Sequence, residues 1–356
     1  MRQPTGEPSI GVALGSARRR LAATSDGPAL REAALLLAHV LTVDEVTVLA
    51  HTERPLAPGE VEAFDHLLER RLSGEPFAYL TGAREFYGRR FQVDRRVLIP
   101  RPETEHLVEA VLERDLPDGA RMLDIGTGSG CLALTLALER PAWGVTATDR
   151  SVAALAVAAS NRRLLGAEGR VRLVAADLAG ALRLGRFDLV VANPPYIAPH
   201  ERAGLQREIR LFEPDLALYA PTDAPGDPAP PVRAETLGGT SVTRRLLRQL
   251  AGLSAGAVVA LEVGRGQAEE ISLAAVELGF RVLDVRRRRA RSTRRPDPRA
   301  GREGAASRAS PDCAARRPLP GACRERSCCR RRRSAGRPRA DPDALPAVAA
   351  PGRGDR

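Results

Sequence analysis

Between residues 10 and 74 the apolar positions recur every three or four places along the chain. Val12, Leu14 and Leu21 form one series. Leu30, Ala33, Leu36, Leu37 and Val40 form a second, and Phe64, Leu67, Leu68 and Leu72 a third. Side chains return to the same face of an α-helix at that period, so residues 1–75 are predicted to be a small all-helical domain. Asp26-Gly27-Pro28 and Pro58-Gly59 punctuate it, as turn-forming residues do. The pattern then changes. The run Glu85-Phe86-Tyr87-Gly88-Arg89-Arg90-Phe91-Gln92-Val93 reads as two short strands about a glycine turn, which makes residues 76–102 a β-hairpin linker. Ile99-Pro100-Arg101-Pro102 is a stiff extended piece, because proline disfavours helix in the residue before it. A helix opens at Glu103-Thr104-Glu105 and runs to Leu112.

From Arg121 onward short, wholly apolar runs alternate with helical ones. Strands are predicted at 122–125, 144–148, 171–175, 187–192 and 257–263, with helices at 131–138, 152–165 and 242–250 between them. Continuous apolar strands that alternate with helices imply an α/β fold, a doubly wound parallel sheet buried on both faces. Residues 103–285 form this domain. A sixth strand is expected at Phe280-Arg281-Val282-Leu283-Asp284-Val285, and Arg286-Arg287-Arg288-Arg289 follows at once. No further alternating apolar run occurs until Leu345-Pro346-Ala347-Val348, which contains a proline. The sheet is therefore expected to lack a last strand. Residues 286–356, rich in Arg, Pro, Ala, Gly, Ser and Cys, are expected to be disordered or read out of frame.

Composition alters this picture in one respect. The 356-residue chain is 43% hydrophobic but only 3% aromatic, so its cores must be aliphatic. Its net charge of +11 suggests a nucleic-acid partner until it is located. Residues 286–356 hold 22 Arg against seven acidic residues, a net of +15, which leaves residues 1–285 at −4. A basic face on the folded body is thus not expected, and nucleic acid is a candidate partner only for the tail. All basic residues are Arg, a coding bias more than a functional choice. No apolar run is long enough for a membrane span, and the N-terminus lacks the layout of a signal peptide, so a cytoplasmic protein is expected. Cys131 is alone in the body. Cys313, Cys323, Cys328 and Cys329 lie in the tail at spacings unlike those of zinc ligands, so no metal site is expected.

Three constellations carry chemistry. Asp124-Ile125-Gly126-Thr127-Gly128-Ser129-Gly130 joins a strand to a helix. Its glycines allow positive φ and close ligand approach, and the helix N-terminus offers free N–H groups. That arrangement suits a carboxylate or a phosphate, and alone it does not separate a methyl donor from a dinucleotide. Asp149 ends the next strand, where an acid can accept from both hydroxyls of a ribose or, with Ser151, cap the next helix. Asp177 ends the third strand and either accepts from an adenine amino group or forms a turn. Asn193-Pro194-Pro195-Tyr196 follows the fourth strand. Two prolines stiffen it and remove two N–H donors, so the Pro194 carbonyl and the Asn193 side-chain oxygen become convergent acceptors for one –NH2 group. An amide nitrogen held this way has its lone pair localised and aimed. Tyr196 can pack against the planar group.

With these residues in view, the chain resembles the release-factor glutamine N5-methyltransferase family over residues 30–284. The marks are Glu75-Pro76-Phe77-Ala78-Tyr79-Leu80-Thr81-Gly82, Glu85-Phe86-Tyr87-Gly88, Ile99-Pro100-Arg101-Pro102-Glu103-Thr104-Glu105, the 124–130 loop, Asn193-Pro194-Pro195-Tyr196, Phe212-Glu213-Pro214 and Leu261-Glu262-Val263-Gly264. The resemblance implies a Rossmann-like methyltransferase domain with S-adenosyl-L-methionine as methyl donor. Donor-binding residues would be Asp124, Gly126, Thr127, Gly128, Ser129, Gly130, Asp149, Asp177, Leu178 and Asn193. Asn193, Pro194, Pro195 and Tyr196 would bind the acceptor and carry the reaction, with Arg101 beside them. It further implies peptide chain release factors as protein substrates, docked by the helical domain and hairpin so that a Gly-Gly-Gln loop enters the site. The four-residue Asn193–Tyr196 box alone is shared with adenine-N6 methyltransferases of nucleic acid, the rival enzyme, and a non-catalytic remnant is the third reading. The chain departs from the family at Leu178, where some relatives carry an aromatic, in the Pro-rich stretch 221–236, and beyond Val285.

Overall fold

The structure is a computed structural model that describes residues 7–23, 28–180, 182–220, 239–287 and 344–351. Helices α1 (Ile10–Ala22), α2 (Ala29–Leu41), α3 (Glu45–Ala50), α4 (Pro58–Leu72) and α5 (Phe77–Leu80) come first. The Ser9 hydroxyl caps α1 through the Val12 amide, and the Asp44 carboxylate caps α3 through the Thr47 amide at 2.6 Å. Pro58 sits at the first position of α4, where its missing N–H costs nothing. The predicted periodicity becomes a bundle core in which Ile10, Leu14, Leu21, Leu36, Leu37, Phe64 and Leu68 are almost wholly buried. Val12, on the other face of α1, is 63% exposed, so its place in the first apolar series reflects spacing and not burial.

Strands β1 (Ala83–Phe86) and β2 (Arg89–Gln92) form the expected hairpin, in register Phe86↔Arg89. Tyr87 and Gly88 both take positive φ, 50° and 69°, the handedness a two-residue hairpin turn requires. Phe86 and Phe91 meet edge to face at 6.1 Å and join the core under the main sheet. The hairpin is therefore docked on the sheet domain. Arg71 on α4 also bonds Glu208 at 2.6 Å, which ties the bundle to the same body.

A 3-10 turn (Pro102–Thr104) leads into α6 (Glu105–Leu112). Then follow β3 (Arg121–Ile125), α7 (Cys131–Glu139), β4 (Gly144–Asp149), α8 (Val152–Leu164), β5 (Val171–Ala175), β6 (Leu189–Ala192), α9 (Arg207–Phe212), α10 (Asp215–Leu218), α11 (Ser241–Leu250), β7 (Val258–Leu261), α12 (Ala268–Glu277), β8 (Phe280–Arg287) and β9 (Ala344–Pro351). The sheet order is β5-β4-β3-β6-β7-β9-β8. The first five strands are parallel. Every residue of β6 and β7 is buried, as is expected of strands covered on both faces. The strand order reverses between β3 and β6, and the crevice at the carboxyl ends of these strands is where open α/β sheets bind ligands.

The expectation of a missing last strand is corrected. Ala344–Pro351 inserts antiparallel between β7 and β8, with Ala260↔Val348 on one side and Val282↔Ala349 on the other. Two features hid it. Alanine is depleted in strands, so an Ala-rich segment gives a weak signal. A proline argues against a ladder, yet Pro346 falls at a register shift between Val285↔Ala347 and Arg287↔Ala344, where no ladder N–H is demanded of it. Strand β8 also continues to Arg287, past the predicted boundary at Val285. The rest of the tail, 288–343, and the Pro-rich 221–238 stretch lie outside the described residues, as do Cys313, Cys323, Cys328 and Cys329. Among the described residues no helix is long and apolar enough to cross a membrane.

Candidate active site

The loop after β3 carries Gly126, Gly128 and Gly130 at φ of 75°, 56° and 84°. A side chain at any of them would be strained. The Gly126 and Thr127 amides both donate to the Thr148 carbonyl, at 2.9 and 2.8 Å, which folds the loop over the end of β4. The space beside the Cα of Gly126 and Gly128 is open, so these two form the cradle. Gly130 serves a different purpose, since a Cβ there would meet the Leu134 side chain at 2.9 Å and Ala158 at 3.4 Å. It lets α7 approach α8. Asp124 is wholly buried and stands behind the loop, accepting from the Thr127 hydroxyl at 2.6 Å. Burial pushes its carboxyl up to about 7.

Asp149 accepts the Gly128 amide at 2.9 Å and the Ser151 amide at 2.8 Å. The cap of α8 is the Ser151 hydroxyl, bonded to the Ala154 amide at 3.1 Å. Asp149 is thus not the helix cap. It fixes the glycine loop and lines the cavity, and each of its oxygens has acceptor capacity beyond the one amide it takes. Burial raises its pKa, against the pull of those backbone amides.

Asp177 stands at the far end, with its carboxylate on Arg245 of α11 at 3.0 Å. Leu178 takes φ 53°, a conformation rarely held by a branched aliphatic residue. Gln249 secures the turn by accepting the Ala179 amide at 2.9 Å. The Asp177–Leu178 corner is therefore held in place by α11.

The opposite end is built from distant segments. The guanidinium of Arg101 donates to Glu213 at 2.6 Å, and the Ile99 amide donates to the other Glu213 oxygen at 3.2 Å. Burial raises the pKa of Glu213, and Arg101 opposes that rise. Asn193 donates through Nδ2 to the Thr104 hydroxyl at 3.2 Å, while its Oδ1 has no partner among the described residues. Gln267 donates to the Tyr196 carbonyl at 2.8 Å and accepts the Gly264 amide at 2.9 Å. Gly239 lies so close to that Tyr196 carbonyl that no side chain fits there.

These parts enclose one cavity of about 530 Å³, within the size of small-molecule sites, about 300–1,000 Å³. Gly126, Thr127, Gly128, Ser129, Asp149, Asp177, Leu178, Asn193, Pro195 and Arg101 line it. Asp124, Gly130, Pro194 and Tyr196 are not among the residues that line it. Cys131 also lines it, with its thiol pushed up to about 12 by burial, too high for a nucleophile at neutral pH. Sequence reading did not single out Thr104, Asn161, Arg245 or Glu262 as site residues. Asn161 is fully buried, accepts the Gln92 amide at 2.6 Å and donates to the Ser129 carbonyl at 2.8 Å, which couples hairpin to glycine loop. A polar residue on a helix otherwise rich in alanine was its only signal.

A single antiparallel strand, β9, set between β7 and β8 distinguishes this sheet from an all-parallel dinucleotide-binding one. With the glycine cradle below and the Asn193 turn opposite, the class is a Rossmann-like methyltransferase. The description "Methyltransferase small domain" matches residues 102–210, and "PrmC N-terminal domain" matches residues 13–82. Several relatives carry the name release factor glutamine methyltransferase. That of Cereibacter sphaeroides is 41% identical over 277 residues, covering 77% of this chain and 97% of the relative. That of Chlorobaculum tepidum is 48% identical over 207 residues, covering 55% and 70%. That of Moorella thermoacetica is 41% identical over 261 residues, covering 73% and 87%. The chain belongs to the release factor glutamine methyltransferase family.

Proposed function

We propose that this methyltransferase takes S-adenosyl-L-methionine as donor and methylates the side-chain amide nitrogen of the glutamine in the Gly-Gly-Gln motif of peptide chain release factors. The observation that carries the reading is Asn193, which lines the cavity, donates through Nδ2 to Thr104 and has no hydrogen-bond partner for its buried Oδ1 among the described residues. The chain's residues fit the donor. The open cradle at Gly126 and Gly128 admits close backbone approach, and the Asp149 carboxyl oxygens are acceptors suited to ribose hydroxyls. When bound, S-adenosyl-L-methionine supplies an electrophilic methyl group on a sulfonium.

Asn193, the residue of this turn's proposed acceptor pair that lines the cavity, accepts one N–H of the substrate amide through Oδ1, whereas Pro194 is not among the lining residues. The nitrogen lone pair is then withdrawn from resonance and aimed along the attack line. No strong base is required, because the nitrogen loses its proton only after it has become cationic. The main contributions are orientation and exclusion of water. The helical bundle and the β1–β2 hairpin are the docking elements for the release factor.

The test is transfer of labelled methyl from S-adenosyl-L-methionine to a purified release factor, followed by mass spectrometry of the Gly-Gly-Gln peptide. Label on the glutamine is the expected result. Label on adenine of added nucleic acid, with none on protein, would overturn it.

A further inference from the structure

Asn193 has a supporting network that the glycine loop and Asp149 do not share. Glu262 follows β7 directly, as Asn193 follows β6, and the Glu262 amide donates to the Ala192 carbonyl at 3.0 Å. The two side chains therefore start from adjacent strand ends. Glu262 is 3% exposed and Thr104 is 2% exposed. Asn193 Nδ2 donates to the Thr104 hydroxyl, and the hydroxyl and the Asn193 amide both favour the ionised form of Glu262. A hydroxyl has one proton to give. If Thr104 gives it to Glu262, its lone pairs face Asn193, and only the –NH2 edge of Asn193 suits them.

We propose that Thr104 and Glu262 are positioning residues that fix which way round the Asn193 amide sits, so that Oδ1 and not Nδ2 is presented to the substrate. This rests on the reading of Asn193 as the acceptor for the glutamine amide. An ionised carboxylate accepts and cannot donate, so it polarises the whole relay in one direction. A flipped Asn193 would point two donors at the substrate's own –NH2 group, and the site would reject it. The rejection is the usual consequence of leaving donors face to face in a buried site.

The ionised state is finely held. Burial and, to a lesser degree, Glu103 raise Glu262 while Thr104, Arg101 and Asn193 lower it, and the balance leaves it pushed up to about 7. Cys131 and Tyr196 also face this charge, and both are pushed up by burial and by Glu262. Protonation of Glu262 would let the relay run the other way. Methyl transfer is then expected to fall as pH drops through about 7.

Three variants of the full chain test this. Glu262→Gln can donate as well as accept, so it loses the polarising effect at nearly constant shape. Thr104→Val breaks the relay, and Thr104→Ser restores the hydroxyl. Both relay-breaking variants are expected to lower kcat by about tenfold or more, with the donor Kd and the melting temperature near those of the unaltered chain. Thr104→Ser should recover most of the rate, and Glu262→Gln should lose the acid limb of the pH profile. Rates near the original in both relay-breaking variants overturn the proposal, as does a loss of kcat matched by equal loss of donor affinity. The relay is also read without turnover, from the side-chain 15N–1H2 resonances of Asn193, assigned by their absence in Asn193→Ala. Protection from exchange that is lost in Thr104→Val supports the relay, and protection that does not change sinks it. If the unaltered chain methylates no release factor, the reading of the substrate fails, and these resonances still decide whether the relay exists.

Discussion

The two ends of the cavity are built in contrasting ways. The glycine-loop end, the proposed donor site, is made mostly of backbone from neighbouring stretches of chain: three left-handed glycines, two amides on the Thr148 carbonyl, and Asp149 bonded to Gly128 only 21 residues away. The Asn193 end, the proposed acceptor site, is made of side chains that meet across long separations. Arg101 pairs with Glu213 112 residues on, and Asn193 bonds Thr104 89 residues back. A donor common to many reactions can be held by a local motif. An acceptor that distinguishes one enzyme from another is held by contacts that exist only in the folded chain.

Substitutions can break this contrast. The largest effect is expected from Asn193→Ala, which removes an oriented acceptor of the reacting group. By analogy with loss of one oxyanion-hole donor, about 2.7–4 kcal/mol of transition-state stabilisation should be lost, with little change in donor Kd by calorimetry. A variant that binds donor much more weakly would show that the two ends are not separable.

Asp149→Ala is next and acts at the other end. Loss of charge-assisted bonds to a ribose should weaken donor binding by about 1.5–3 kcal/mol. Unchanged affinity in a titration would leave Asp149 as a brace for Gly128 and Ser151 alone.

Arg101→Met sharpens the comparison through stability. Glu213 is 1% exposed at its side chain and Arg101 28%. Breaking a buried pair costs about 3–5 kcal/mol, and partial exposure of Arg101 brings the expected loss to the low end of that range or below it. The sign with pH follows from Glu213, whose pKa in the folded chain is already raised by burial. Without Arg101 it rises further, so the folded chain binds a proton that the unfolded chain has released. The loss of stability should therefore be small in acid and grow as pH rises through the carboxyl's folded pKa. Melting temperatures between pH 5 and 8 that run parallel for the two proteins would remove Glu213 from this role.

The smallest effect concerns neither end. Truncation after Arg287 removes β9 and leaves β7 and β8 with unpaired edges. The melting temperature should fall by several degrees, while donor affinity holds because the cradle belongs to β3 and β4. A truncated chain that melts no lower would mean that the β9 pairing contributes nothing to the fold.

The sequence by itself determined the bundle, the hairpin, the alternation of strand and helix, and the glycine loop with Asp149. Each of these rests on local rules, such as the helical period, the handedness of a turn or the φ that only glycine tolerates, and local rules act on neighbours in the chain. Tertiary structure alone decided the rest. It inserted Ala344–Pro351 into the sheet, where flanking strands supply the partners that an Ala-rich segment with a proline could not predict. It turned Gly130 into a packing residue, left Tyr196 out of the cavity lining, and spent Arg101 on Glu213. It also brought Thr104 and Glu262 to Asn193. The meaning of a buried polar side chain lies in its partner, and no spacing along the chain encodes a partner about ninety residues away.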